Sequence, residues 1–497
     1  MKTKGKTDSY IHILKYTGMF GGVQGLNILM ALVRNKLVAM ILGPEGMGLI
    51  SLFNSTIKLV SDSTNLGISM SAVRNISEEF DSGDTFRMHH TIRMIRSWSV
   101  LTALLGMLLC LVLSPWLNRY TFTWGNHTFH FMLLSPVVAL TAITGGELAI
   151  LKGLRQLRRL AFLSVLGVVA ALVLSIPVYL GMGERGIVPS LLLVALAQML
   201  LTVAYSYKVC PLKLSFRKQV LGEGLGMVRL GIAFVLAGVL GSGAEFLIRS
   251  FLNTQGSLGQ VGLYSAGYMM TMTYAGMVFS AMETDFFPRL SAVHDDIEKQ
   301  NQVVNRQIEV SLLILSPLLV GFTIFLPVFL PLLFTGKFMP ILGMMQVTVL
   351  AMYLRAVKLP IAYLPLAKGD SRSYLFLEAV YDVAVVLLVC SMYSAYGLTG
   401  TGVAITASAV LDFLLLVFYT RYKYGYTVSK DVCRHAIMAI GIGLLAYLTT
   451  FIANLWIYWG GGAALIALST ALSAYTLKKK TNVWNTLAEK LKRRRHA

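Results

Sequence analysis

Leu37-Val38-Ala39-Met40-Ile41-Leu42-Gly43-Pro44-Glu45-Gly46-Met47-Gly48-Leu49-Ile50-Ser51 sits inside the stretch Met30–Ile76 that decides the fold. It reads as the end of one apolar helix, a glycine turn at Leu42–Gly46, and the start of a second helix of membrane-spanning length. Arg34, Lys58 and Asp62 fall where hydrocarbon is expected. A charge at mid-bilayer costs about 2.5–3.5 kcal/mol even on the lenient insertion scale, so such groups usually face water or a partner. Asn54, Lys58, Ser61, Asp62, Asn65 and Ser69 recur at helical spacing and predict one polar face on the second span.

The composition carries this reading to the whole chain. Hydrophobic residues make up 56% and charged residues 13% of 497 positions, against about 25% charged in soluble domains. Mean hydropathy is +0.68. The net charge of +20 is spread between apolar runs rather than gathered in one domain, which argues for membrane topology and against nucleic acid. The basic start (Lys2, Lys4, Lys6) leads into a full span without a small-residue cleavage site, so no cleaved signal peptide is expected. Cys110, Cys210, Cys390 and Cys433 lie singly and suggest small buried hydrophobes rather than a metal or redox site.

The expected fold is an all-α integral membrane protein with about fourteen spans. These lie near residues 11–42, 46–75, 92–115, 129–151, 160–180, 186–207, 224–253, 258–288, 305–333, 341–366, 374–395, 400–420, 433–453 and 456–476. Lys and Arg then fall almost wholly on one side, while the opposite loops hold only Arg119, Arg185 and Lys337. Both termini are therefore expected in the cytoplasm. The tail, 482–497, reads as a short basic amphipathic helix against anionic lipid.

Gly48-Leu49-Ile50-Ser51 resembles Gly262-Leu263-Tyr264-Ser265, and the same offset relates Gly186 to Gly400. A nearby offset relates Lys152-Gly153 to Lys368-Gly369. Six spans per copy is an even number, so the copies are parallel, with a substrate site expected between them. Residues 1–215 and 216–425 are the expected lobes; 426–497 adds two spans and the tail.

Candidate substrate-binding residues are Asn27, Arg34, Asn54, Lys58, Asp62, Asn65, Glu245, Arg249, Arg355 and Lys358. Together they suggest a net-positive central cavity able to hold phosphate, which the planar guanidinium fork suits. Glu147 is a further polar group of this cavity, and Lys36 is expected to snorkel outward. If transport is coupled to H⁺ or Na⁺, the candidates are Asp62, Glu245, Glu378, Asp382 and Asp412. The eight histidines lie in loops or at helix ends and offer no metal or proton-relay candidate. Neither a cofactor nor a metal is expected.

Lys36–Leu49, with Asn65-Leu66-Gly67-Ile68 and Arg74-Asn75-Ile76-Ser77-Glu78, resembles the N-terminal region of bacterial polysaccharide or O-antigen flippases of the Wzx type. These belong to the multidrug/oligosaccharidyl-lipid/polysaccharide (MOP) exporter superfamily. Phe287-Pro288-Arg289-Leu290-Ser291 and Tyr396–Gly402 add to the likeness. The resemblance implies two six-helix lobes plus two further helices, alternating access, and residence in the bacterial inner membrane. It also implies a cargo, an oligosaccharide linked by pyrophosphate to a polyprenyl lipid, with a polysaccharide polymerase as a possible partner. By the same resemblance Arg34 and Lys58 engage the pyrophosphate. The eighth span carries Tyr268, Met272, Gly276 and Phe279 where the second carries its polar face, so symmetric contacts are not expected. Two alternatives stand beside this. A MATE-like exporter of cations should have an acid-dominated cavity. A membrane enzyme should present catalytic groups on a sizeable external loop, and a non-enzyme is the expectation here.

Overall fold

The computed structural model describes residues 2–122, 126–274, 286–287, 289–293 and 295–480. The tail expected to be amphipathic, and Gly276 and Phe279, lie outside the described residues. The helices are α1 (Lys2–Thr64), α2 (Ile68–Ser82), α3 (Thr85–Thr121), α4 (Thr128–Gly153), α5 (Leu157–Met182), α6 (Ile187–Tyr207), α7 (Lys218–Gln255), α8 (Leu258–Tyr268), α9 (Ile297–Leu333), α10 (Leu342–Ala367), α11 (Ser371–Tyr424), α12 (Lys430–Thr449) and α13 (Leu455–Lys480). Among the described residues, ten helical runs are long and apolar enough to cross a membrane.

Three of those runs each hold two of the expected spans. α1 breaks at Gly43 (φ 66°, ψ −167°), just before Pro44. Glycine reaches this left-handed φ without a Cβ clash, and proline, lacking an N–H, suits the first position of the helix that follows. The run Arg158–Tyr207 turns at Gly183 (φ 58°, ψ −136°), and α11 breaks at Gly397 (φ 60°, ψ −145°). The expected second span ran on to residue 75. Instead α1 ends at Thr64, the chain turns through Leu66 and Gly67 with positive φ, and α2 begins as a separate amphipathic helix. Asn65 therefore sits in a turn, and position 69 belongs to α2 rather than to the helix of Asn54 and Lys58.

Two compact units make up the chain. The first is Met1–Ser265 with Leu333–Lys337, the second Ala266–Leu332 with Phe338–Ala497. In the first, α3 lies along α4, α4 packs on α6, and α1 packs on α5 and α7. A core of Ile68, Ala72, Ile76, Ile92, Ile95 and Ile150 ties α2 to α3 and α4. In the second, α10 lies along α11, and α12 packs against α10 and α13. Val320, Ile324, Ile442, Ala446 and Tyr458 form its core. Of the cysteines, Cys110 and Cys210 are buried as expected, but Cys390 is half-buried and Cys433 is exposed.

The repeat is written into the backbone. Within the first unit, a Cβ on Gly48 would stand 2.0 Å from the Leu258 carbonyl oxygen, and one on Gly262 would stand 1.8 Å from that of Pro44. Ser51 Oγ meets Ser265 Oγ at 2.6 Å, across a separation of 214 residues that also relates each member of the two glycine contacts. Small residues of this kind let helix backbones touch. The same offset relates Gly183 to Gly397, whose φ values match. It also relates Arg155 (φ 53°) to Gly369 (φ 69°). The hydrogen bond from Gln156 N–H to the Leu151 carbonyl is repeated from Asp370 N–H to Pro365. The equivalence of Lys152-Gly153 with Lys368-Gly369 is thus corrected by two residues: a left-handed arginine in one copy occupies the place of a glycine in the other.

Two predictions arise here. Cysteines in place of Ser51 and Ser265 are expected to form a disulfide under mild oxidation, since their β-substituents already touch and a disulfide needs Cβ atoms about 3.5–4.5 Å apart. Full alkylation of both thiols after oxidant treatment would count against the contact. The second concerns the α10–α11 corner. Asp370 caps α11, accepting from Ser373 N–H at 3.1 Å, Ser373 Oγ at 2.7 Å and Tyr424 Oη at 2.9 Å, with Lys423 Nζ at 2.6 Å. Burial pushes its carboxyl up, but the bonds from Lys423, Ser373 and Tyr424 outweigh it and hold the group well below the usual carboxylate range. A depressed carboxyl contributes stability that is fully present above its unfolded value, about 3.9, and is lost as pH falls through the folded one. Unfolding of wild type and Asp370→Asn should therefore differ at pH 7 and converge as pH drops below about 4.

Candidate functional site

The polar face of α1 beyond Gly43 does not pair along itself. Lys58 Nζ reaches across to Glu245 Oε1 of α7 at 2.8 Å, and Arg249 Nη1 holds Glu245 Oε2 at 3.1 Å. Lys58 and Asp62, four residues apart on the same helix, are not paired with each other by a salt bridge. Lysine preceding the acid at i,i+4 is the weaker order along a helix, while Glu245–Arg249 has the favourable one. Arg249 Nε also donates to Ser51 Oγ at 2.8 Å, which ties the cluster to the serine contact between the repeat copies. Asp62 hydrogen-bonds with Ser242 and lies in electrostatic range of Lys58 and Glu245. Asn54 is exposed beside them, and the Lys58 side chain keeps 51% of its surface. By formal charge, Lys58 and Arg249 are matched by Glu245 and Asp62. The expected excess of positive charge is not found in this cluster.

Arg34 and Asn27 face elsewhere. Arg34 Nε approaches Ser175 Oγ at 3.5 Å, and Asn27 Nδ2 donates to Ser164 Oγ at 2.6 Å, both on α5. Lys36 does not snorkel outward: its ammonium donates to the Phe334 carbonyl.

The second unit has its own charged cluster. Lys358 of α10 pairs with Asp412 of α11, and its ammonium lies 4.4 Å from the Tyr381 ring centre. Glu378 lies in electrostatic range of Lys358 and Asp412, and buried Asp382 in that of Tyr381. Arg355 Nη1 donates to the Met272 carbonyl at 3.3 Å. The repeat offset sets Lys358 against Thr144, Asp412 against Gln198, and Lys58 against Met272. Charge, unlike backbone, is not repeated.

Glu147 does not belong to either polar face. It is buried against Arg96, with Nε–Oε1 at 2.8 Å and side chains 3% and 4% exposed. Ser206 Oγ donates to it at 2.5 Å, and Arg96 spends its other donors on the carbonyls of Cys210 and Pro211. The sequence signal is an acid in an apolar run; Arg96 falls among the Lys and Arg of the basic side, which hides the pairing. His435 lies near the start of α12, as its place in the sequence suggests, but is buried against Glu309 at 3.0 Å. Among the described residues, no group of three His, Cys, Asp or Glu is placed to hold a metal.

The profile of the polysaccharide biosynthesis protein family matches residues 37–342. The chain belongs to this family. No curated protein matches it. Among solved structures, the lipid II flippase MurJ in an inward closed conformation is 13% identical, with a TM-score of 0.69 over 93% of this chain and 98% of that one. An inward-facing multidrug resistance MATE family transporter of the MOP superfamily is 16% identical, with a TM-score of 0.66 over 82% and 98%. A MOP superfamily transporter from Pyrococcus furiosus, described as having a binding pocket of reverse polarity, gives 15% identity and a TM-score of 0.58 over 83% and 94%. The expected architecture is borne out: an all-helical multi-pass membrane protein with the fold of the MOP superfamily transporters.

Proposed function

We propose that the chain is a flippase. It carries a polyprenyl-pyrophosphate-linked oligosaccharide, such as an O-antigen or exopolysaccharide repeat unit, from the inner to the outer leaflet of the bacterial cytoplasmic membrane by alternating access. Both termini are then cytoplasmic, transport is coupled to H⁺ or Na⁺, and a polysaccharide polymerase takes the product. The observation that carries this reading is Lys58, half-exposed within an apolar span and fixed by Glu245 beside Arg249. A lysine held at this depth while open to solvent suits an anionic headgroup. The headgroup's hydroxyls cost about 4–8 kcal/mol each to strip of water without partners, which Asn54, Ser61 and Asp62 can supply. The prenyl tail keeps about 0.8 kcal/mol per CH₂ by staying in lipid. Export of cations is less well served, because Glu245 and Asp412 are already held by bases.

Complementation of a flippase-deficient bacterium that makes the matching lipid-linked sugar tests this. Surface polysaccharide should return with the wild-type chain and fall at least about tenfold with Arg34→Ala and Arg249→Ala combined, about 1.4 kcal/mol or more. Wild-type display by the double variant would defeat the headgroup role of these cations. Resistance to cationic dyes without surface polysaccharide would favour the exporter.

A further inference from the structure

Between α6 and α7 the chain runs through Cys210-Pro211-Leu212-Lys213-Leu214-Ser215-Phe216-Arg217. Pro211 lacks the N–H that a continuing helix needs, and residues 211–217 form no helix. α3 fastens this strap at two points. Buried Arg96 donates to the Cys210 and Pro211 carbonyls at 3.0 and 2.8 Å, and Ser215 N–H donates to Ser97 Oγ at 2.9 Å. Leu212, Leu214 and Phe216 are nonetheless 49%, 42% and 50% exposed, and they alternate with exposed Lys213 and Arg217.

The depth of the strap follows from its backbone. The apolar run that holds α5 and α6 extends from Arg158 to Tyr207, and the strap begins just beyond it. Backbone N–H and C=O groups outside a helix find no partners in hydrocarbon. The strap therefore lies in the layer of polar headgroups, about 5–8 Å thick on each side of the bilayer. Large apolar side chains at this level reach the acyl boundary, while cations meet phosphates.

The charges beside the strap share one sign. Arg158 and Arg159 lie in the first turn of α5, and Lys208 follows the last residue of α6. Arg159 is half-buried, and its Nη1 donates to the Tyr205 carbonyl at a long 3.5 Å. Lys208 Nζ stands 5.3 Å from the centre of the Tyr205 ring, which packs on Phe162 at 5.6 Å. The acids of this end of the unit are engaged elsewhere: Glu147 with Arg96, Asp81 with Arg155 and Glu223 with His90. Among the described residues, no carboxylate pairs with Arg158, Arg159, Lys208, Lys213 or Arg217. A half-buried guanidinium with one long hydrogen bond has donors to spare, and its planar fork matches a phosphate.

We propose that the strap and the adjoining ends of α5 and α6 form a binding surface for anionic phospholipid. Leu212, Leu214 and Phe216 seat in the acyl boundary. Arg159, Lys208, Lys213 and Arg217 surround the phosphodiester. The excess of cations selects a headgroup with net negative charge, such as phosphatidylglycerol, over a zwitterionic one.

The test uses the full-length protein. Native mass spectrometry from detergent counts the phosphatidylglycerol and phosphatidylcholine retained by wild type and by Lys208→Gln, Lys213→Gln and Arg217→Gln combined. Wild type should prefer phosphatidylglycerol, and the triple variant should lose at least about tenfold of that preference. Phosphatidylglycerol should also raise the unfolding temperature of wild type more than that of the variant, because a ligand of the folded state alone stabilises it. Lys213→Gln alone, at an exposed side chain, should shift retention in the same direction and guards against a misfolded triple variant. Equal preference in all three proteins, or none in wild type, would overturn the site. Excess glycerol phosphate should not displace the lipid; displacement would assign these cations to a small soluble anion instead. In vesicles, the fluorescence that Phe216→Trp adds to the six native tryptophans should be quenched by brominated acyl chains. Quenching by aqueous iodide alone would place the strap in water, open to a soluble protein, and would overturn the lipid assignment.

Discussion

Glu147→Ala is expected to destabilise the protein by about 3–5 kcal/mol, the usual cost of removing one partner from a buried ion pair. Arg96 would keep its two backbone carbonyls, from Cys210 and Pro211, but lose both carboxylate contacts with its side chain 3% exposed. Its guanidinium stays charged at any accessible pH, so it cannot escape by neutralising. The alternative is to pull the C-terminal end of α6 and the following Cys210–Pro211 stretch out of their seat on α3 and α4. Arg96→Ala should cost a similar amount by stranding Glu147. Paired replacement by Arg96→Met and Glu147→Leu should recover most of the stability, because apolar residues of similar volume often equal a buried pair. Thermal unfolding in detergent measures all four proteins. A loss below 1 kcal/mol for either single variant would show that the network is not a staple of the first unit.

The backbone was far more legible in the sequence than the electrostatics were. Gly43-Pro44, Gly183 and Gly397 declare their turns through φ values that other residues avoid, and the spacing of Gly48 and Gly262 announced a repeat that the two reciprocal contacts embody. Lys58 and Glu245 were each visible as ionisable groups in apolar helices. Their partnership was not, because it joins residues 187 apart, whereas helical spacing reports only neighbours three or four positions away. Arg96 failed for a different reason: counting basic residues by side treats each as solvated, and one of them is buried. His435 failed in the same way, since closeness to a helix end in the chain says nothing about what α9 and α13 cover. Asn65 and Ser69 were misplaced by assuming one uninterrupted period through Leu66-Gly67, where Gly67 adopts left-handed φ at the start of α2.

Glu245→Gln should produce the second large effect, and it separates folding from transport. The substitution keeps the shape of the side chain while removing the charge that Lys58 and Arg249 share. The stability loss should fall on Arg249, whose side chain is 12% exposed, at about 1–3 kcal/mol, the cost of leaving a buried hydrogen-bonding group short of its partner. Lys58 is half-exposed and its ion pair is worth little in water, so Lys58→Met should leave the unfolding temperature nearly unchanged. Transport orders the variants differently. If the cluster receives an anionic headgroup, Lys58→Met removes a contact and should reduce surface polysaccharide sharply despite its stable fold. Glu245→Gln adds net positive charge, so the headgroup should be held more tightly and released more slowly. Lipid-linked sugar would then accumulate with the protein while surface display falls. A double-mutant cycle of Glu245→Gln with Arg249→Met should show a coupling of about 0.5–3 kcal/mol in stability, and Glu245→Gln with Lys58→Met almost none. Equal losses of fold and display in all three single variants would mean that the cluster serves packing alone, and the charge at Lys58 would need another explanation.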